Sequence, residues 1–207
     1  MPHVMTDPVV WSIFIAKTTA GACGIMGLSS LFDKTMRPST RLALCLALLL
    51  GIGLYGSLLF VTAPKLLITK SGSHPWVGAV WLRAILFVSG LTAGVAALVV
   101  GYHRAPRHDF DRTHDRHERV LGSLILMELG ILIGLALSMR GSAGIAFQRW
   151  PGMLIPLFVV PVGLVLPLVH RKPSGERGLF DAALFVLLGE FVLSLAIVGI
   201  PRSIGLQ

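Results

Sequence analysis

Four ionisable residues stand inside long apolar runs of the sequence: Lys17, Arg83, Glu128 and Glu190. A charged side chain at the centre of a membrane helix costs roughly 2.5–3.5 kcal/mol on insertion scales, so each marks a functional site by default. From the rise of an α-helix, Glu128 and Glu190 are expected near the membrane midplane, and Lys17 and Arg83 in the outer half. Carboxyl groups at that depth can exchange protons, which makes Glu128 and Glu190 candidates for proton transfer.

Both bases share a helical stripe with glycines. Lys17 is followed at helical spacing by Gly21 and Gly24, and Arg83 is followed in the same way by Gly90 and Gly94. Small residues mark the surfaces where membrane helices pack closely, so both bases are expected to point into the bundle. They could simply pair with Glu128 or Glu190, or they could line a polar route from the outer side. The sequence leaves both readings open.

The composition identifies the elements that must hold these residues. Of 207 residues, 54% are hydrophobic and 14% charged, against about 25% charged in average soluble domains. This excludes a disordered chain, a soluble enzyme and a disulfide scaffold, and it predicts an all-α, polytopic transmembrane bundle of six helices in a single integral membrane domain, residues 1–207. Each predicted span is long enough to cross a bilayer core of about 30 Å. The spans are 9–31, 41–62, 77–101, 120–139, 152–169 and 179–200.

The formal charge of +8 indicates membrane orientation and not nucleic-acid binding, because the bases lie in short loops between apolar runs. The loops 32–41, 102–119 and 170–178 hold eleven Lys and Arg residues, and the opposite side holds five. The positive-inside rule therefore predicts both termini outside the cytoplasm. We expect a multi-pass protein of the inner (cytoplasmic) membrane.

Metal and haem ligands are not expected in this chain. Cys23 and Cys45 lack the spacing of iron–sulfur or zinc ligands. The histidines fall in loops or at span ends, whereas a b-type haem needs them within spans. The histidine-rich loop 102–119 alternates Asp and Arg, which favours a solvated, self-paired loop over a metal site.

Five segments of the chain resemble, in order, the helices of the NrfD/polysulfide-reductase membrane-subunit family. The third predicted span carries the small-residue helix, WLRAILFVSGLTAGVAAL, and the fourth carries a glutamate within the membrane, LGSLILMELGILIGLAL. The other matching segments are PVVWSIFIAKTTAGACGIMG, PVGLVLPLV and LFVLLGEFVLSLAIVGIPRS. Family members usually have eight or more spans, so this chain would be a shortened version.

The resemblance implies a membrane anchor that holds an iron–sulfur subunit, itself joined to a catalytic subunit that often carries molybdopterin. Electrons would pass between the last iron–sulfur cluster and a quinone, either menaquinone or ubiquinone, with no haem or cluster in this chain. Candidate quinone-binding residues are those near the outer end of the bundle: Lys17, Trp11, His74 and Arg83.

Two other functions remain open. Buried Lys and Glu residues with a proline-rich helix also suit a small secondary transporter or a proton- or ion-translocating subunit. A purely structural anchor is the third possibility, but it leaves four charged residues in the membrane unexplained.

The predicted orientation can be tested by cysteine labelling. Ser174 lies in a loop assigned to the cytoplasm and Ser71 in a loop assigned to the outside. A membrane-impermeant maleimide added to intact cells is expected to label Ser71→Cys and to leave Ser174→Cys unlabelled. The reverse pattern would invert the topology.

Overall fold

The computed structural model describes residues 8–32, 38–57, 79–102, 110–138, 150, 152–170 and 175–203. These residues form helices, and no strand occurs among them. The elements are α1 (Pro8–Phe32), α2 (Pro38–Ser57), α3 (Ala79–Tyr102), α4 (Phe110–Ser138), a π-helix (Ile155–Val165), α5 (Leu166–His170) and α6 (Gly175–Ser203). The all-α bundle expected from composition is confirmed.

Four helices in the described residues are long and apolar enough to cross a membrane. Their apolar segments are Pro8–Leu28, Arg83–Tyr102, His117–Leu137 and Arg177–Gly199. The second and fifth predicted spans coincide with shorter apolar helices, Leu42–Ser57 and Ile155–His170. Residues 58–62, the end of the second predicted span, lie outside the described residues.

The surface of the bundle is more apolar than that of a soluble protein, and charged side chains lie in its interior. Large apolar side chains lie on the surface, including Leu49, Leu137 and Leu157, which are 65%, 68% and 70% exposed. Lys17, Glu128 and Glu190 are at most 2% exposed. Such a surface requires an apolar solvent. Together with the four apolar helices, it makes the chain a multi-pass membrane protein.

Helices α3 and α6 form the centre of the bundle, since well over half of their apolar segments is buried, against a third in α1 and α4. Helix α1 packs against α2, α3 and α6, and α3 also packs against α4 and α6. The π-helix and α5 pack on α6. Residues from four different helices can therefore meet around α3.

Two observed elements differ from the sequence expectation. Helix α4 begins at Phe110, three turns before the predicted span, so part of the loop predicted at 102–119 is helical. Asp and Arg residues in this stretch stand three and four apart, a spacing that supports a helix in water.

In the fifth span, the prolines remove the N–H donors that an α-helix needs. The chain widens there into a π-helix in which the Leu166 N–H donates to the Pro161 carbonyl.

Pairs of glycines set the closest helix contacts. A Cβ atom on Gly21 would collide with the backbone of Gly90, and one on Gly94 would collide with the backbone at Gly21 and Ala22. Gly163 of the π-helix and Gly189 of α6 face each other in the same way. These contacts bring the backbones of α1 and α3, and of α6 and the π-helix, closer than any other residue type permits.

Replacing Gly189 tests this packing. Gly189→Ala places a methyl group against the Gly163 backbone and is expected to cost about 1–3 kcal/mol by overpacking. Gly130→Ala is a matched control, because a Cβ atom there meets no atom within 4 Å. Thermal unfolding of both variants in detergent checks the expectation. Equal stability of the two variants would contradict it.

Candidate functional site: a buried ionic cluster

Lys17 and Glu190 form an ion pair inside the bundle. The Lys17 Nζ lies 2.6 Å from the Glu190 Oε2, and the two side chains are 0% and 2% exposed. Helix α1 supplies the lysine and α6 supplies the carboxylate, 173 residues apart in sequence. The sequence left open which carboxylate Lys17 would meet, and the structure assigns Glu190.

Ser89 of α3 completes a triangle with this pair. Lys17 Nζ donates to the Ser89 Oγ at 2.6 Å, and the Ser89 hydroxyl donates to the Glu190 Oε2 at 2.5 Å. Lys17 Nζ also donates to the Glu190 backbone carbonyl at 3.0 Å. A lysine ammonium has three N–H donors, so all three are occupied. A quinone carbonyl could bind Lys17 only if one of these bonds broke.

The cluster lies near the middle of the apolar helices that carry it. Lys17 is nine residues from Pro8, the start of its apolar segment, and Glu190 is nine residues from Gly199, the end of its segment. At 1.5 Å per residue both are about 14 Å deep, close to half of a 30 Å bilayer core. The sequence predicted Glu190 near the midplane and Lys17 in the outer half, whereas the ion pair holds the two side chains at the same level.

Glu128 of α4 faces the same cluster. Its side chain is fully buried, and its carboxyl group interacts with Glu190, Lys17 and Thr92. Neither of its oxygens accepts a hydrogen bond from the described residues, and neither does Glu190 Oε1. The structure thus brings together both proton-transfer candidates and one of the quinone-binding candidates.

The other quinone-binding candidates do not join this group. Trp11 is 47% exposed on the bundle surface, and its ring packs 4.6 Å from that of Phe191, the neighbour of Glu190 in sequence. Arg83 is half-buried near the start of α3. His74 lies outside the described residues. Their roles in quinone binding remain predictions.

Four hydroxyl residues lie at the cluster, and of these the sequence indicated only Ser194, which stands four residues after Glu190 on the same helix face. Ser89 binds both charged residues, and the Ser194 hydroxyl donates to the Glu190 carbonyl at 2.8 Å. Thr92 donates to the Val88 carbonyl at 2.9 Å. The Tyr55 phenol of α2 donates to the Phe87 carbonyl at 3.2 Å and lies within electrostatic reach of Glu190. The available signal for Ser89 and Thr92 was their spacing, since two hydroxyl residues three positions apart share one side of a helix.

The fold and the cluster define a multi-pass α-helical membrane protein with an ionic centre at mid-depth. Comparison of the chain with family models, with curated proteins and with solved structures found no match. The resemblance to the NrfD family therefore remains an expectation.

A double-mutant cycle tests the ion pair. Lys17→Met and Glu190→Gln are each expected to cost about 3 kcal/mol, because each breaks the ion pair and leaves the remaining charged group without its closest partner. The double variant is expected to cost clearly less than the two together, since it buries no charge. Denaturant-induced unfolding in detergent measures the three differences. Additive costs would show that the two side chains do not interact.

Proposed function

We propose that this chain is the membrane anchor subunit of a multi-subunit respiratory oxidoreductase in the inner (cytoplasmic) membrane, with both termini outside the cytoplasm. It would exchange electrons between an iron–sulfur partner subunit and the quinone pool. The observation that carries the proposal is the cluster of Lys17, Glu190 and Glu128 at mid-depth. Quinone reduction consumes protons inside the bilayer, and buried carboxyl groups at that depth can supply them.

The electron-transfer half of the proposal is supported by the resemblance to NrfD-type subunits. A catalytic partner, which in that family is often a molybdopterin enzyme, would provide the substrate chemistry. The quinone itself supplies the two-electron, two-proton redox step. This chain would bind the head group, exclude water and hold the proton.

The hydrogen-bond donors of the cluster are already bonded to protein oxygens, and this limits where a quinone head group can bind. Lys17, Ser89, Ser194, Thr92 and Tyr55 all donate to protein oxygens. A head group would therefore bind beside the cluster and not within it. The aromatic patch of Trp11, Phe14 and Phe191 offers such a place, because Phe191 packs on both other rings and directly follows Glu190.

A second candidate is a small proton- or ion-translocating membrane protein. It is favoured by the hydrogen bonds of Lys17, because all three of its N–H donors are bonded to protein oxygens and none is left for a ligand. Under this candidate the carboxyl groups would load and release an ion without any redox partner.

Co-purification separates the two. The chain isolated in mild detergent from its native membranes is expected to carry a partner with iron–sulfur absorbance and a quinone extractable by solvent. A chain that purifies alone, without either, and that moves protons when reconstituted in liposomes would replace the first candidate with the second.

Trp11 tests the position of the head group. Trp11→Leu is expected to weaken binding of a short-chain quinone analogue about two- to tenfold, the loss of one aromatic contact. Equilibrium binding to the purified complex in detergent measures the change. Tyr102→Leu is the matched control. Tyr102 is also an exposed aromatic residue, 41% exposed, and it is the last residue of α3. Equal affinity of the two variants would remove Trp11 from the site.

A further inference from the structure

Three carboxylate oxygens inside the bundle accept no hydrogen bond from the described residues: both oxygens of Glu128 and Oε1 of Glu190. Buried polar atoms in native proteins are nearly always satisfied. The carboxyl group of Glu128 interacts with that of Glu190. Ionised carboxylates only accept hydrogen bonds, so two ionised groups facing each other would have no donor between them.

Among the residues that the structure describes, one compensating positive charge lies at the two carboxyl groups. The charged groups that interact with the Glu128 carboxyl are Lys17 of α1 and Glu190 of α6. Tyr55 of α2 is the other titratable group near Glu190, and α3 contributes the hydroxyls of Ser89 and Thr92. The π-helix, IPLFVVPVGLV, contains no titratable side chain. One ammonium therefore faces two carboxyl groups, and it is bonded to only one of them.

We propose that Glu128 and Glu190 share a single proton, which Glu128 carries and donates to Oε1 of Glu190. Lys17 balances the negative charge of Glu190, so the cluster is neutral as a whole. One proton gives two of the three unsatisfied oxygens a partner and avoids an uncompensated charge in the bundle interior. The cluster then holds one exchangeable proton and has one acid that carries it. This inference names the proton-carrying residue of the proposed function, but it does not depend on a quinone.

Infrared spectroscopy of the purified full-length chain in detergent, with hydrogen–deuterium exchange, tests the charge balance. A buried protonated carboxyl group gives a carbonyl band that shifts in deuterium, whereas a carboxylate does not. Wild type is expected to show one such band, and Glu128→Gln is expected to lose it. Glu118→Gln is the matched control, because it removes a carboxyl group near the start of the same helix and should leave the band intact.

Two further variants make the test independent of Glu128 itself. In Glu190→Gln, Lys17 still needs a carboxylate, so Glu128 should ionise and the band should disappear. In the double variant Lys17→Met/Glu190→Gln no cation remains, and the band should return to its wild-type intensity. This return would also show that the double variant keeps Glu128 in a buried site.

Three results would overturn the proposal. The first is a wild-type spectrum without a protonated-carboxyl band, as expected if a metal cation occupied the oxygens in place of the proton. The second is a band that survives Glu128→Gln, and the third is a band that persists in Glu190→Gln. None of these results bears on whether a quinone or an iron–sulfur partner co-purifies, so the proposed function is tested separately.

Discussion

The ion pair between Lys17 and Glu190 is the constraint on which the arrangement of the bundle depends. Removing an ammonium and a carboxylate from water costs several kcal/mol each, and their attraction offsets this only when the geometry is good and the remaining donors are satisfied. Here the ammonium meets this condition by binding Ser89 and two oxygens of Glu190. Any slide or rotation among α1, α3 and α6 would leave a buried donor unpaired. The pair therefore specifies one packing of three helices.

The glycines make this packing possible. Gly90 follows Ser89, Gly189 precedes Glu190, and Gly21 lies one turn after Lys17. Each allows a neighbouring backbone to approach where a Cβ atom would collide. Close helix axes bring the side chains of Lys17, Ser89 and Glu190 within hydrogen-bonding distance, so the ionic cluster and the small-residue contacts depend on each other. The wide turns of the π-helix lie against α6 at the same level, where Gly163 meets Gly189.

Much of this arrangement could be predicted from the sequence, and the limits have physical causes. Composition predicted the fold class, and the helical spacing of Lys17 with Gly21 and Gly24 predicted that Lys17 points into the bundle. Whether Lys17 meets Glu128 or Glu190 depends on the rotation and axial register of helices far apart in the chain, which no local pattern determines. Ser89 could not be distinguished from the many membrane serines that bind their own backbone, as Ser194 does. The π-helix was not predicted, because the prolines indicate that the α-helix is interrupted but do not determine which hydrogen-bond pattern replaces it.

The two carboxyl groups play different parts because their hydrogen-bond partners differ. Glu190 is held by Lys17 and Ser89, so its charge and position are fixed, whereas Glu128 has no such partners among the described residues. In wholly apolar surroundings the ionised form of a carboxyl group is strongly disfavoured, because no donor replaces the lost water. Thr92 offers Glu128 a hydrogen-bond donor, because its hydroxyl interacts with the Glu128 carboxyl group. At present this hydroxyl donates to the Val88 carbonyl, which also accepts a backbone hydrogen bond of the helix. The hydroxyl can turn to an ionised Glu128 at little cost to α3, which gives the cluster a donor for the state in which the proton has left.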